Sequence, residues 1–232
     1  MLPELPGPYD VVLGEIMEEL RQKPVKAILL AGSAATGKLR PPVSDLDVLI
    51  VDDSTWTIRH ESRREIEVHW SIGSEAAWRA VWQRDLASDL GANISLMAGS
   101  TPVHDPHGVG EQLIREAQTL YAGGPKLSPQ WIESRRRWLT ELANDLLEAP
   151  AENQPYICSL LVFMAVPCAF ALTGHWQPRH KEAMTLLSQA NPGLFTALNH
   201  ALRGHNIQAY TDLRNEVGLL LEPFGGWWRH DS

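Results

Sequence analysis

The chain holds only two cysteines, Cys158 and Cys168, in 232 residues. They stand ten positions apart in one apolar segment. That spacing forms neither a CxxC pair nor a zinc-ligand pattern, and a helix containing both would keep them from meeting. A disulfide-stapled scaffold is excluded, and buried free thiols in a reducing cytoplasm are expected. Positive charge is also in short supply: 20 Lys and Arg stand against 28 Asp and Glu, a formal net charge of −8. A surface built to hold DNA or RNA needs a basic face, so no stable nucleic-acid binding is expected. The opening residues MLPELPGPYD lack a basic stretch followed by an apolar run, so no secretory signal is expected there. No internal repeat and no low-complexity tract is visible.

Long uncharged runs are rare as well, with one exception. Residues 157–172, ICSLLVFMAVPCAFAL, approach the length of a membrane span. Pro167 interrupts the run and no second run of this kind accompanies it. The expected reading is a buried central helix, apolar all round because neighbouring helices cover it; a membrane anchor is the rival. The composition otherwise is that of a folded, water-exposed domain, with 44% hydrophobic and 21% charged residues. The length allows one large domain or two small ones.

Apolar Val11, Val12, Ile16 and Leu20 recur at helical spacing over residues 9–22, and Pro24 ends that helix. The apolar run VKAILLAG, 25–32, is bounded by Pro and Gly and predicts a buried strand. A turn through Gly37 and Pro41-Pro42 leads to a second strand, DLDVLIV, 45–51, and EIEVHWSI, 65–72, alternates cleanly as a third. Helices are predicted over the segment from Ser74 and over 87–98, then a short edge strand in TPVHDP, 101–106, and a helix over 108–122. The turn formers of GGPKLSP, 123–129, mark the best boundary. Beyond it the pattern is helical throughout: 128–148, 155–173, 179–189, 193–203 and 207–221. A mixed α/β first half therefore precedes an all-α second half.

The stretch AILLAGSAATGKLRPPVSDLDVLIV concentrates the chemistry. Side chains two apart on a strand share a face, so Asp45 and Asp47 project together while Leu46 and Val48 face the other way. Two neighbouring carboxylates repel, and a site that keeps both needs cations. Few, acidic oxygen ligands suit Mg²⁺, which retains waters and accepts phosphate oxygens. Gly32 lets the backbone approach a phosphate closely, and Ser33 adds a hydroxyl near backbone N–H groups. One strand thus offers metal ligands and its neighbour a phosphate cradle. The same turn fits the spacing of a Walker A loop from Gly32 to Lys38. Leu39, however, stands where a Ser or Thr must reach Mg²⁺, and Arg40-Pro41-Pro42 blocks the helix that must follow.

Gly-Ser, a gap, then Asp-x-Asp between apolar residues resembles the signature of the DNA polymerase β-like nucleotidyltransferase superfamily. The resemblance spans residues 26–70 by motif and extends more loosely to the small aminoglycoside-type nucleotidyltransferases, which carry a C-terminal helical bundle. It implies an α/β (α+β) catalytic domain with a mixed sheet over 1–124 and an all-α bundle over 125–232 that binds acceptor and nucleotide. It implies a third carboxylate from a later strand. Glu67 matches, mid-strand between Ile66 and Val68, with Glu65 of the same parity as its rival; His69 shares the face. TGHWQPRHKEA, 173–183, resembles the basic turn of those relatives, in which Lys181 would meet phosphate; ordinary solvation is its competing role. Thr36 departs from the pattern, since relatives often carry Arg there.

The implied reaction is phosphoryl transfer. Asp45, Asp47 and Glu67 would hold Mg²⁺, Gly32, Ser33 and Lys181 would meet the phosphates of an NTP, expected to be ATP, and Glu67 would orient or deprotonate the acceptor hydroxyl. An aminoglycoside-like small molecule is the expected acceptor, consistent with the acidic balance. A protein side chain, as in toxin-paired AMPylating enzymes, and a non-catalytic nucleotide-binding regulator are the alternatives. Elsewhere, Arg135, Arg136 and Arg137 are expected to form one solvated helix face. Trp227 and Trp228 either cap the bundle or border the acceptor.

Overall fold

The computed structural model describes residues 5–229. Its chain divides into two compact units, Met1–Asp85 with Gly91–Gly123, and Leu86–Leu90 with Gly124–Ser232. The short piece Leu86–Leu90 joins the second unit for a visible reason. Lys126 N donates to Leu86 O at 2.9 Å, Gln177 N donates to Asp89 O at 2.9 Å, and Arg135 lies 3.7 Å from the Asp89 carboxylate.

In the first unit, α1 (Gly7–Leu20) buries Tyr9, Val12, Leu13, Ile16 and Leu20, a stripe at helical spacing. Four-residue β1 (Ala27–Leu30) is buried along its whole length and leads into the single turn α2 (Gly32–Ala35). Then come β2 (Leu46–Val51), β3 (Thr57–Arg63) and β4 (Ile66–Gly73), followed by α3 (Glu75–Leu86), α4 (Ala92–Ala98), β5 (Thr101–His104) and α5 (Val109–Ala122). The five strands form one mixed sheet in the order β3-β4-β2-β1-β5. Only β2 and β4 run parallel; every other neighbouring pair is antiparallel. Period-two alternation sorts the faces. Ile28, Leu30, Leu46, Val48, Ile50, Val68 and Trp70 pack with α1 in one core. The opposite face is covered in part by α5, whose Gly110 comes so close that a β-carbon there would meet Ala27 Cβ at 3.0 Å.

Strand β3 was not expected, and its composition explains why. TIRHESR is exposed at its first four positions and charged on both sides, so no apolar alternation marks it. It is an edge strand whose charges block further pairing. Its partners also hold it to α1: Arg63 pairs with Glu19 and Glu61, and Arg59 and Arg63 lie over the Trp70 ring at 4.6 and 5.4 Å. The helix expected over 87–98 is reduced to α4, because the buried Asp85 carboxylate accepts from Asn93 N at 2.7 Å and Ile94 N at 3.0 Å and so fixes a new helix start.

The second unit is helical: α6 (Pro129–Glu148), α7 (Gln154–Ala171), α8 (His180–Ala190), α9 (Pro192–Gly204) and α10 (Ile207–Leu221), ending in a 3-10 turn, Glu222–Phe224. Ser128, Asn191 and Asn206 cap α6, α9 and α10 with their side-chain oxygens, each cap contributing about 1 kcal/mol. Leu139, Leu161, Leu187, Leu198, Leu213 and Val217 lie in its core. Helix α7 is long and apolar enough to cross a membrane by length and composition, and half of it is buried. It is not covered all round as expected: Cys158, Leu161, Ala165 and Cys168 face the core, while Tyr156 and Phe163 are 68% and 66% exposed. Both cysteines are free and buried, and burial pushes the Cys168 thiol up to about 12.

The three consecutive arginines of α6 do not share a solvated face, since successive helix positions diverge by about 100°. Arg135 meets Asp89, Arg136 donates to the carbonyls of Gly225 and Gly226 at 3.1 Å, and Arg137 pairs outward with Glu141. Trp227 packs against the helical core and across Gly218, where a β-carbon would meet its ring at 3.0 Å.

Two predictions come from the β3–β4 edge. Arg64 and Glu65 join the strands with φ of 50° and 65°, the left-handed conformations of a tight hairpin turn that favours glycine. Glu65→Gly is expected to raise stability by about 1 kcal/mol, read from urea unfolding. Glu19 has its carboxyl lowered from the ordinary 4.5 to about 2 by hydrogen bonds from Lys23 and Arg63. A lowered carboxyl contributes stability above its unfolded pKa and loses it as pH falls toward the folded one. Glu19→Gln is therefore expected to destabilise the protein at about pH 7 and to lose that difference progressively below about pH 4.5, measured by urea midpoints across the range.

Candidate active site

Three local constraints deliver Asp45 and Asp47 to one place. Ahead of β2, the buried Tyr9 of α1 donates its hydroxyl to Ser44 O at 2.7 Å, and Ser44 Oγ accepts from Arg40 N at 2.8 Å. The residue entering the strand is thereby fixed. Tyr9 has its hydroxyl pKa raised, first by burial and then by the charge of Asp45. Along β2, Leu46 and Val48 are fully buried, which turns Asp45 and Asp47 to the opposite side. Beyond β1, Gly32 adopts a φ of 60°, and a β-carbon there would stand 2.1 Å from Asp47 Oδ2. Only glycine leaves room for that carboxylate.

The third group comes from register. β4 runs parallel to β2 with Asp47 opposite His69, so the imidazole shares the carboxylates' face. His69 Nδ1 lies 3.2 Å from Asp45 Oδ2 and 3.7 Å from Asp47 Oδ1. Asp45, Asp47 and His69 each offer one ligand atom within 4.8 Å of the others. All three side chains reach solvent, at 44%, 20% and 36% exposure, so an ion and its ligand can enter. The ring of His60 on β3 packs edge-on against His69 at 4.5 Å.

The arrangement fits a divalent cation. Around a six-coordinate ion with bonds of about 2.1 Å, ligand atoms lie about 3.0 Å apart when adjacent and about 4.2 Å apart when opposite. The two imidazole–carboxylate separations fall inside that window. Ser33 supplies an independent sign of a ligand, because its hydroxyl is buried with no hydrogen-bond partner, a state that buried polar groups rarely keep. It follows Gly32 directly, beside Asp47. Thr36 turns its hydroxyl back to Gly32 O at 3.1 Å and closes the turn where relatives often carry Arg. Lys38 is exposed, with no helix after it, which removes the Walker A reading.

The other expected residues are placed as follows. Glu67 is exposed on β4, two residues before His69 and so on the same face, and it is not one of the three clustered ligands. Glu65 belongs to the hairpin turn rather than to the strand. Lys181 is exposed in the first turn of α8, in the second unit. Sequence reasoning had set His69 on the correct face without a role. Its parity was visible, but its position opposite Asp47 depends on a parallel register that no local pattern reveals.

The family described as nucleotidyltransferase domain matches residues 13–72, which include every residue of this cluster. Over that segment the chain is similar to the nucleotidyltransferase domains of the polymerase β-like superfamily. Among solved structures, the chain is similar to a nucleotidyltransferase-like protein from Exiguobacterium sibiricum 255-15. The identity is 10% and the TM-score 0.53, covering 94% of this chain and 75% of that one. At that identity the likeness is one of fold, and it extends through the helical half. No curated protein matches the sequence. Within the nucleotidyltransferase domain, the matched segment runs from α1 to β4, the elements that place Tyr9, Gly32, the two aspartates and His69, apart from Tyr9 itself, which lies just ahead of it.

Gly32 gives the most direct test of this geometry. Gly32→Ala is expected to cost about 1–3 kcal/mol, from the left-handed backbone and the clash with Asp47. It should also weaken divalent-cation binding, followed as the loss of the cation-induced rise in unfolding temperature. A variant with wild-type stability and an undiminished cation response would show that the close approach is not required.

Proposed function

We propose that this chain is a metal-dependent nucleotidyltransferase that moves a nucleoside monophosphate from an NTP, expected to be ATP, to a hydroxyl of a small acceptor. The observation that supports it most is the Asp45–Asp47–His69 cluster beside Gly32 and the unpartnered Ser33 hydroxyl, inside the segment that matches a nucleotidyltransferase family.

Asp45 and Asp47 would hold Mg²⁺ or a related divalent ion, whose charge would neutralise that of the phosphate oxygens. The protein does the rest by positioning. Gly32 admits the phosphates near Asp47, and the Ser33 hydroxyl donates to a phosphate oxygen. Glu67, exposed on the same face of β4, orients the acceptor hydroxyl and takes its proton. The acceptor oxygen then bonds to the α-phosphorus, the bond to the bridging oxygen breaks, and pyrophosphate leaves. Lys181 contributes a charge to the triphosphate, and the helical unit holds the acceptor. A cationic, aminoglycoside-like acceptor suits the net charge of −8.

The test is divalent-cation-dependent release of pyrophosphate from NTPs, with a panel of aminoglycosides and hydroxyl-bearing proteins as acceptors. Asp47→Ala is expected to lower the rate by about 1000-fold and Glu67→Gln by about 100-fold. Lys181→Ala should raise KM for the NTP with little change in kcat. Full activity in Asp47→Ala would overturn the proposal, and label transferred to protein rather than to the small molecules would replace the acceptor class.

A further inference from the structure

The acidic motif alone points to magnesium, yet the structure places an imidazole nitrogen, rather than the Glu67 carboxylate, against the aspartate pair. His69 Nδ1 faces two carboxylate oxygens, at 3.2 and 3.7 Å, and both are acceptors. A cation entering between the carboxylates would find that ring nitrogen within reach as a third ligand atom. His60 packs against the His69 ring at an interplanar angle of 73°, and Asp47 and His60 are its cross-strand partners on either side.

Resting on the reading that this pair holds a divalent ion, we infer that His69 Nδ1 is the third protein ligand and that the site selects manganese(II) over magnesium. Magnesium takes oxygen ligands almost exclusively and gives up its waters reluctantly. Imidazole nitrogen favours the first-row transition metals over magnesium, and manganese is a member of that row that readily accepts carboxylates, phosphate oxygens and six-coordination. A set of two carboxylates and one imidazole, with solvent on the open side for phosphate oxygens, matches manganese better than either magnesium or a four-coordinate zinc site.

The experiment measures metal binding on the full chain without nucleotide, so it does not depend on turnover. Mn²⁺ binding is followed by loss of the free-ion electron paramagnetic resonance signal, and Mg²⁺ by competition. Electron spin echo modulation from ¹⁴N reports a directly bonded imidazole. His69→Asn keeps a polar atom near the Nδ1 position and His69→Asp restores an all-oxygen set, which guards against a variant that fails to fold.

Wild type is expected to prefer Mn²⁺ over Mg²⁺ and to show ¹⁴N modulation. Both variants should lose the modulation, and His69→Asn should weaken Mn²⁺ by about tenfold with a smaller effect on Mg²⁺. In His69→Asp the Mn²⁺ preference should shrink. Absence of ¹⁴N modulation in the wild type, or an unchanged preference in both variants, overturns the inference. Asp47→Ala separates this failure from failure of the site itself. Metal binding that needs Asp47 but ignores His69 removes only the imidazole ligand. Metal binding that survives Asp47→Ala removes the carboxylate site and the transferase reading with it.

Discussion

Asp45 and Asp47 project from one side of β2 because a strand repeats every two residues, and Asp47 has room for its carboxylate because Gly32 carries no side chain. Two carboxylates set this close repel each other, and a cation held between them relieves the repulsion. The buried Leu46 and Val48 on the other side of the strand prevent relief by rotation, since a one-residue slip would expose both and bury both acids. The apolar core on the α1 face is therefore what forces the acidic pair to stay together.

Topology then decides which third group meets them. After β2 the chain passes over the position next door, runs out along the edge as β3, and returns through a tight turn as β4. That detour makes β4 parallel to β2 and brings Asp47 opposite His69. An antiparallel return into the same slot would have presented a different residue. The edge strand is held by charges rather than by apolar packing, with Arg63 reaching Glu19 of α1 and the Trp70 ring. These contacts fix the hairpin whose register sets the imidazole, so an electrostatic clamp on the sheet's edge bears on the geometry of the candidate metal cluster.

Much of this was legible in the sequence, for physical reasons that differ by element. Helices α6 to α10 announce themselves through Pro, Ser and Asn at their starts and wide apolar stripes, and their observed limits fall within about two residues of the expected ones. Strands β1 and β2 are apolar runs between turn formers. Strand β3 was invisible because an exposed, charged edge has no alternation to read. The lost half of the helix expected over 87–98 turns on the buried Asp85, whose capping role depends on a tertiary contact. The arginine run of α6 looked like a solvated stripe because counting charges ignores helical rotation. At the site, the Gly-Ser and Asp-x-Asp pattern exposed the pair at once, whereas choosing between Glu67 and His69 required the strand register.

The side chains that shape the carboxylate pair all come from residues 9–69, and the helical unit has a core of its own built from residues 139–221. The candidate metal cluster sits on strands locked by a buried sheet face, where small changes propagate at once. A helical bundle, by contrast, can change its surface side chains without disturbing the packing of Leu161, Leu198 and Leu213. The fold is shared at 10% identity, since the constraints on a sheet are those of backbone and parity, which sequences with little else in common can meet.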